Sequence, residues 1–346
     1  MDLPDDQIIE QAAARLDEGE LVAFPTETVY GLGADAEQAQ AVARIYAAKG
    51  RPLDHPVIVH VAPGADLAYW ADPVPAEAQA LMRAFWPGPL TIILKRAPHI
   101  DPAVSGGQDS IGLRCPSHPV AQALLAAFAA RRPNGQGGVA APSANRFGRV
   151  SPTQAAHVRS EFPEQVGQGM PVLDGGAAEV GIESTIVDLS GVHQGRPAAL
   201  LRPGHITAKA LSQVLGYVPT QPDHQSPRAS GTLRAHYAPR TPVEVVSPRR
   251  LGDVVSGIGV PADARWVVLA YVASPNGLVP QVQWQSMTPD PQVYARELYA
   301  MLRTLDQQGF DRIVLQHPPE QAPWQAVNDR LARVGAAFDL STDESD

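Results

Sequence analysis

The chain has 346 residues, of which 44% are hydrophobic, and a formal net charge of -9 at pH 7. That length predicts two domains, each with enough apolar material for a core, and the acidic balance argues against a protein that grips long nucleic acid by charge. A single cysteine, Cys115, excludes an internal disulfide, and no Cys/His spacing resembles a zinc site.

The start, Met1-Asp2-Leu3-Pro4-Asp5-Asp6, lacks a positive region followed by an apolar run, which predicts no secretory leader. No stretch of about eighteen apolar residues occurs that could span a bilayer, so a cytoplasmic protein is expected. Gln7–Asp17 reads as a first helix, Leu21–Phe24 as a strand, Ala36–Ala48 as a helix and Val57–Val61 as a strand. Glu77–Phe85 is helical and stops at Trp86-Pro87-Gly88-Pro89 before the strand Leu90–Leu94. Further strands are predicted at Ile111–Arg114, Val139–Ala141 and Thr185–Leu189, with a helix over Pro119–Ala130. Strands and helices without strict alternation give an α/β or α+β sheet.

Around Gly216 the apolar periodicity ends, and the prolines of Val218–Pro227 mark a linker. Beyond it, strands are predicted at Val243–Val246, Trp266–Val272 and Ile313–Gln316, while Tyr294, Leu298, Leu302 and Leu305 keep helical spacing. The expected organisation is therefore a larger domain over 1–215, a linker over 216–241 and a small α/β domain over 242–346, with a frayed acidic end at Ser341–Asp346.

The chemistry concentrates at strand ends. Phe24–Asp35 reads as a strand running into a hydroxyl-rich, glycine-bearing turn, and Lys49-Gly50-Arg51-Pro52 follows one helix later. Lysine occurs only at Lys49, Lys95 and Lys209, so a Lys-x-Arg pair points to a polyanion more than to general solvation. Both cations are read as exposed, with little effect on folding if removed. Small polar residues recur at Ser105–Pro116, Ala140–Gly148 with Ser151 behind it, Asp174–Asp188 and Leu201–Gly204. Ligands in open α/β sheets sit where such strand ends converge, and hydroxyls, amides and glycine N–H groups suit phosphate and carboxylate oxygens. No phosphate loop, dinucleotide glycine motif or serine nucleophile elbow is present.

Phe24–Asp35, Lys49-Gly50-Arg51-Pro52, His55–His60, Trp86–Thr91, Ser143-Ala144-Asn145, Glu183–Asp188 and Arg202-Pro203-Gly204, in this order, resemble the threonylcarbamoyl-adenylate synthases. The likeness covers about residues 8–215, and His236-Tyr237-Ala238-Pro239 with the domain after it resembles that enzyme's long form. It implies a YrdC-type twisted mixed sheet flanked by helices, plus a smaller Rossmann-like carboxy-terminal domain. It further implies that L-threonine, bicarbonate or carbon dioxide, and ATP are joined into threonylcarbamoyl-AMP with release of pyrophosphate, with Mg2+ carried by the nucleotide. The product would pass to the downstream tRNA threonylcarbamoyltransferase complex for adenosine 37, tRNA itself being contacted weakly or not at all.

By the same likeness, Lys49, Arg51, Ser143 and Asn145 form the catalytic signature. ATP would be held by Arg51, His55, Ser110, Ser143, Ser151, Arg202 and Tyr237, and threonine by Thr28, His60, Arg114, the Ala141 backbone and Ser184. His55 stands where many relatives carry Lys or Asn, and Ser110 where Thr is commoner. Charge grows on phosphoryl oxygens and on the leaving pyrophosphate, so fixed donors and cations serve better than a nucleophile. A guanidinium at Arg114 suits the threonine carboxylate as a two-pronged fork. One rival is an RNA-binding or ribosome-assembly module without turnover, which would need a basic face. The other is a hydrogenase-maturation carbamoyltransferase, whose zinc-binding cysteine pairs do not occur here.

Overall fold

Apolar stripes and β-branched runs of the first two thirds fold into one eight-stranded mixed sheet in a computed structural model that describes residues 5–339. The acidic end at 341–346 lies outside the described residues. Helix α1 (Asp6–Asp17) is capped by Asp5, whose carboxylate accepts the Gln7 N–H, and buries Ile9, Ala12, Ala13 and Leu16 along one stripe. There follow β1 (Val22–Phe24), β2 (Gly31–Asp35), α2 (Ala39–Lys49), β3 (Ile58–Val61), β4 (Leu90–Lys95), β5 (Ser110–Arg114), β6 (Gly138–Ala140), β7 (Thr185–Asp188) and β8 (Ala199–Arg202). Their order is β1-β2-β6-β3-β5-β4-β7-β8. The pairs β3/β5 and β4/β7 are parallel and the remainder antiparallel.

Two strands lie where turns were expected. Gly31 and Gly33 are in β2, fully buried, and the turn is made by Thr26–Tyr30 before it. The glycines answer to packing: a Cβ on Gly33 would sit 2.8 Å from both Phe24 Cε1 and Val139 Cγ1. Gly33→Ala is therefore expected to cost about 1–3 kcal/mol, read as a lower denaturant midpoint at unchanged slope. Likewise Arg202 ends strand β8 and does not sit in an isolated turn.

The chain divides into two compact units, the first running to Phe147 and resuming over Ser151–Thr232, the second taking Gly148–Val150 and the chain from Leu233 onward. The stretch read as a linker is thus shared out. Thr220 pairs with Ala199, and Arg228–Ser230 bond to Asp54, Gln108, Arg51 and Arg202 of the first unit. The proline-rich stretch forms no helix or longer strand, but irregular backbone still finds partners. From Leu233 the chain belongs to the second unit, where the Ala238 N–H donates to the Gly148 carbonyl.

The second unit is a parallel sheet of β9 (Val243–Val246), β10 (Trp266–Ala270), β11 (Val282–Ser286) and β12 (Arg312–Gln316), in the order β11-β10-β12-β9. The helix Pro291–Asp306 buries Tyr294, Leu298, Leu302 and Leu305, and Asp306 receives the N–H groups of Arg240 and Thr241 just before β9. Strand β11 was not foreseen, although Val282–Ser286 alternates apolar and polar, the period of a half-buried edge strand.

Candidate functional site

The hydroxyl turn before β2 is held by its own side chains. Thr26 Oγ1 accepts the N–H groups of Thr28 and Val29, donates to the Val29 carbonyl at 2.6 Å and meets Thr28 Oγ1 at 2.9 Å. Beside it, the Ala144 N–H donates to the Tyr30 carbonyl and the Leu32 N–H to that of Pro142, which lays the Ser143 loop along β2. Lys49, the last residue of α2 before the left-handed Gly50, fastens that loop. Its ammonium donates to the carbonyl of Ser143 at 2.5 Å and to that of Asn145, and the Phe147 N–H returns a bond to the Lys49 carbonyl.

Lys49 is only 3% exposed and Arg51 only 9%. The expectation of exposed cations is therefore overturned: Gly50 turns the chain back, so the pair points inward and not off the helix end. Burial pushes the Lys49 ammonium well below the ordinary lysine pKa, and the nearby Arg51 charge adds to this.

Arg51 reaches the Pro56 carbonyl at 2.7 Å and Ser230 Oγ at 3.2 Å. Arg202 donates to the carbonyl of the same Ser230 at 2.7 Å, and through Nε and Nη2 to the Ser184 carbonyl and hydroxyl at 2.9 and 3.0 Å. Ser184 also meets Thr91 Oγ1 at 2.8 Å. Arg51 and Arg202 thus meet at Ser230, which lines one cleft together with the predicted ligand serine Ser110. Its walls include Pro56, Ile58, Ser110, Gly112, Thr91 and Ser230. The space left is about 10 Å³, room for one water, and Arg228–Ser230 forms part of its wall.

Strands β3 and β5 run from the cleft to a second group. Ile58 and Gly112 are register partners at the cleft, and two residues on, on the same face, His60 pairs with Arg114. Arg114, 4% exposed, forms a 2.7 Å ion pair with the buried Glu27, whose other oxygen accepts the Ser117 N–H at 3.1 Å. The predicted two-pronged fork is therefore half taken by the protein, while Arg114 Nε has no partner among the described residues. Thr26 Oγ1 lies 3.5 Å from Arg114 Nη2, which brings the Thr28 turn to the same place.

His60 is buried beside Phe24, and burial, aided by the Arg114 charge, lowers its pKa to about 3. The unfolded chain then binds a proton near pH 6.5 that the folded one refuses, so stability is lost as pH falls from about 6.5 toward 3. In His60→Gln this acid-side slope should shrink by up to about 1.4 kcal/mol per pH unit, measured by denaturant unfolding at stepped pH.

The remaining predicted residues divide. Ser110 opens β5 at the cleft, and Ser151 donates to the buried Glu183 at 2.6 Å. His55 stacks edge-on against Phe147 at 5.3 Å, its pKa lowered by burial and then by Arg51. The Ala141 N–H is used by the Ile58 carbonyl. Asn145 donates through its amide to the Arg146 carbonyl at 2.8 Å. Tyr237 belongs to the second unit, 1% exposed, between Tyr299 and His236 with the Arg330 guanidinium 5.7 Å from its ring centre, and takes a left-handed φ of 63°. Cys115 is buried, and burial raises its thiol to about 11, an inert group. Glu27, Thr91 and Ser230 were not foreseen as site residues. Glu27 sat inside a quoted motif, and its charge in a site for anions was the signal available.

The family model described as "Telomere recombination" (Sua5, YciO, YrdC) matches residues 14–204, and that described as "Threonylcarbamoyl-AMP synthase, C-terminal domain" matches residues 206–336. The threonylcarbamoyl-AMP synthase of Pyrococcus abyssi is 36% identical over 329 residues, spanning 93% of this chain and 92% of that protein. That of Bacillus subtilis is 35% identical over 344 residues, spanning 95% and 93%. The crystal structure of P. abyssi Sua5 complexed with L-threonine superposes with a TM-score of 0.83 at 34% identity, covering 96% of each chain.

Proposed function

The chain belongs to the threonylcarbamoyl-AMP synthase family, and we propose that it joins L-threonine, bicarbonate or dissolved carbon dioxide, and ATP into threonylcarbamoyl-AMP, releasing pyrophosphate. One observation carries this reading: Arg51 and Arg202 meet at Ser230 beside the cleft, and Arg114, whose Nε has no partner among the described residues, lies two residues farther along the same sheet face. Separate cations for a polyphosphate and for a carboxylate are what a reaction between an amino acid and a nucleoside triphosphate requires. The P. abyssi relative with bound L-threonine supports the amino-acid half.

In this reading the threonine amine, as free base, attacks carbon dioxide and loses a proton, or attacks bicarbonate with loss of water, and a carbamate results. The carbamate oxygen then attacks the α-phosphorus and pyrophosphate leaves. Arg51 and Arg202 stabilise the charge that grows on the phosphoryl oxygens, assisted by the hydroxyls of Ser110 and Ser143. Lys49 acts by holding the Ser143–Asn145 loop through two carbonyls. Magnesium would ride on the triphosphate; among the described residues no group of three or more His, Cys, Asp or Glu side chains gathers to hold a metal ion.

A nucleotide needs more room than the cleft offers, so Arg228–Ser230 must yield on entry and can close afterwards to keep water from the labile adenylate. The outermost tie of this stretch, Arg228 to Asp54, is a half-exposed pair at 2.9 Å and weak enough to open. The product would serve threonylcarbamoyladenosine formation at tRNA position 37 in the cytoplasm, through a downstream transferase. Among the described residues no helix is long and apolar enough to cross a membrane. Pyrophosphate release that requires both threonine and bicarbonate is the expected result; RNA gel retardation without such release would favour the RNA-binding reading.

A further inference from the structure

A carboxylate is out of place in a pocket for anions unless it has work there. Glu27 is 3% exposed, and both its oxygens are used: Oε1 by Arg114 at the end of β5, Oε2 by the Ser117 N–H in the turn that follows. Its own carbonyl receives the Val180 N–H, so the residue is fixed on both sides. The bond to Nη2 fixes the plane of the guanidinium, and the adjacent Nε is left buried with no partner among the described residues. A buried donor without an acceptor is costly, and it marks the place where a ligand oxygen completes the arrangement.

We propose that Glu27 is the positioning residue for threonine: by holding one prong of the Arg114 fork it aims Nε at the substrate carboxylate, so that the amino acid is gripped by a single preset edge. This rests on the threonine half of the function proposed above. Glu27 does not touch the reacting atoms; it acts through Arg114.

Glu27→Gln is a sharp test because it preserves shape. A carboxylate offers an acceptor at each end, whereas an amide offers one, so the substituted side chain must set its NH2 against either the Arg114 or the Ser117 donor. Losing a charge-assisted bond of this kind is worth about tenfold or more in binding. In the full chain, L-threonine binding by titration calorimetry should weaken at least about tenfold, and the threonine KM should rise to match. The ATP KM and kcat at saturating threonine should stay within about twofold.

Ser117→Pro, which removes the N–H and leaves the carboxylate, should weaken threonine about threefold, and it decides the matter if Glu27→Gln prevents folding. Unchanged threonine binding in the variant that folds, or equal losses for threonine and ATP alongside a lower melting temperature, would overturn the assignment. Wild-type chain that binds threonine yet releases no pyrophosphate would remove the reaction and leave the role of Glu27 standing.

Discussion

Lys49→Met is expected to lower turnover by on the order of ten-thousandfold while leaving a folded protein. The ammonium is the common donor to the carbonyls of Ser143 and Asn145, the two ends of the signature loop. Methionine fills the same channel and supplies neither bond. A loop free to drift by about 1 Å costs on the order of a hundredfold in rate, and misplacing one donor to the growing charge costs about as much again. Because the lysine is buried, its melting curve will also move, contrary to the expectation for an exposed cation. Two carbonyls lose a buried donor, at about 1–3 kcal/mol each, offset by relief of the desolvation that holds the Lys49 pKa low. A net loss of about 1–3 kcal/mol is expected, measured by urea unfolding beside single-turnover pyrophosphate release.

The second large effect belongs to Arg114→Ala. It leaves Glu27 as a buried carboxylate whose remaining described bond is the Ser117 N–H, and breaking a buried pair on one side costs about 3–5 kcal/mol. Threonine use should be lost with it. Stability and function then separate in the double variant Arg114→Ala/Glu27→Ala, which removes the orphaned charge. More than about half of the lost stability should return, and threonine-dependent turnover should not. Equal stability in the single and double variants would mean that the 2.7 Å pair is not coupled in solution.

The sequence made the sheet legible wherever a strand carried a β-branched run, as in Val57–Val61 or Leu90–Leu94, and hid it where packing chose glycine. Gly31 and Gly33 looked like turn residues because their service, letting Phe24 and Val139 close over β2, is a long-range matter. The same limit explains Ser230. The prolines of Val218–Pro227 marked a linker, but nothing local revealed that Ser230 just beyond would close on Arg51 and Arg202, 179 and 28 residues away.

Residue types at the site were legible as chemistry, since arginines, serines and one scarce lysine at strand ends fit anionic substrates. Their inward pairing was not. That Lys49 holds carbonyls and that Arg114 is half occupied by Glu27 depend on geometry that spacing does not encode. Tyr237 was placed beside the nucleotide by likeness alone, and spacing gave no sign of its packing against Tyr299 and the Arg330 guanidinium.

One experiment reaches the central assertion, that a single cleft assembles an amino acid, a one-carbon acid and a nucleotide. The chain is incubated with 14C-bicarbonate, L-threonine and ATP, and the nucleotide products are separated at once. Radiolabel in an adenylate that also contains threonine, formed only when all three substrates are present, is the predicted result. Pyrophosphate or AMP released at the same rate without threonine, with no label in an adenylate, would contradict it.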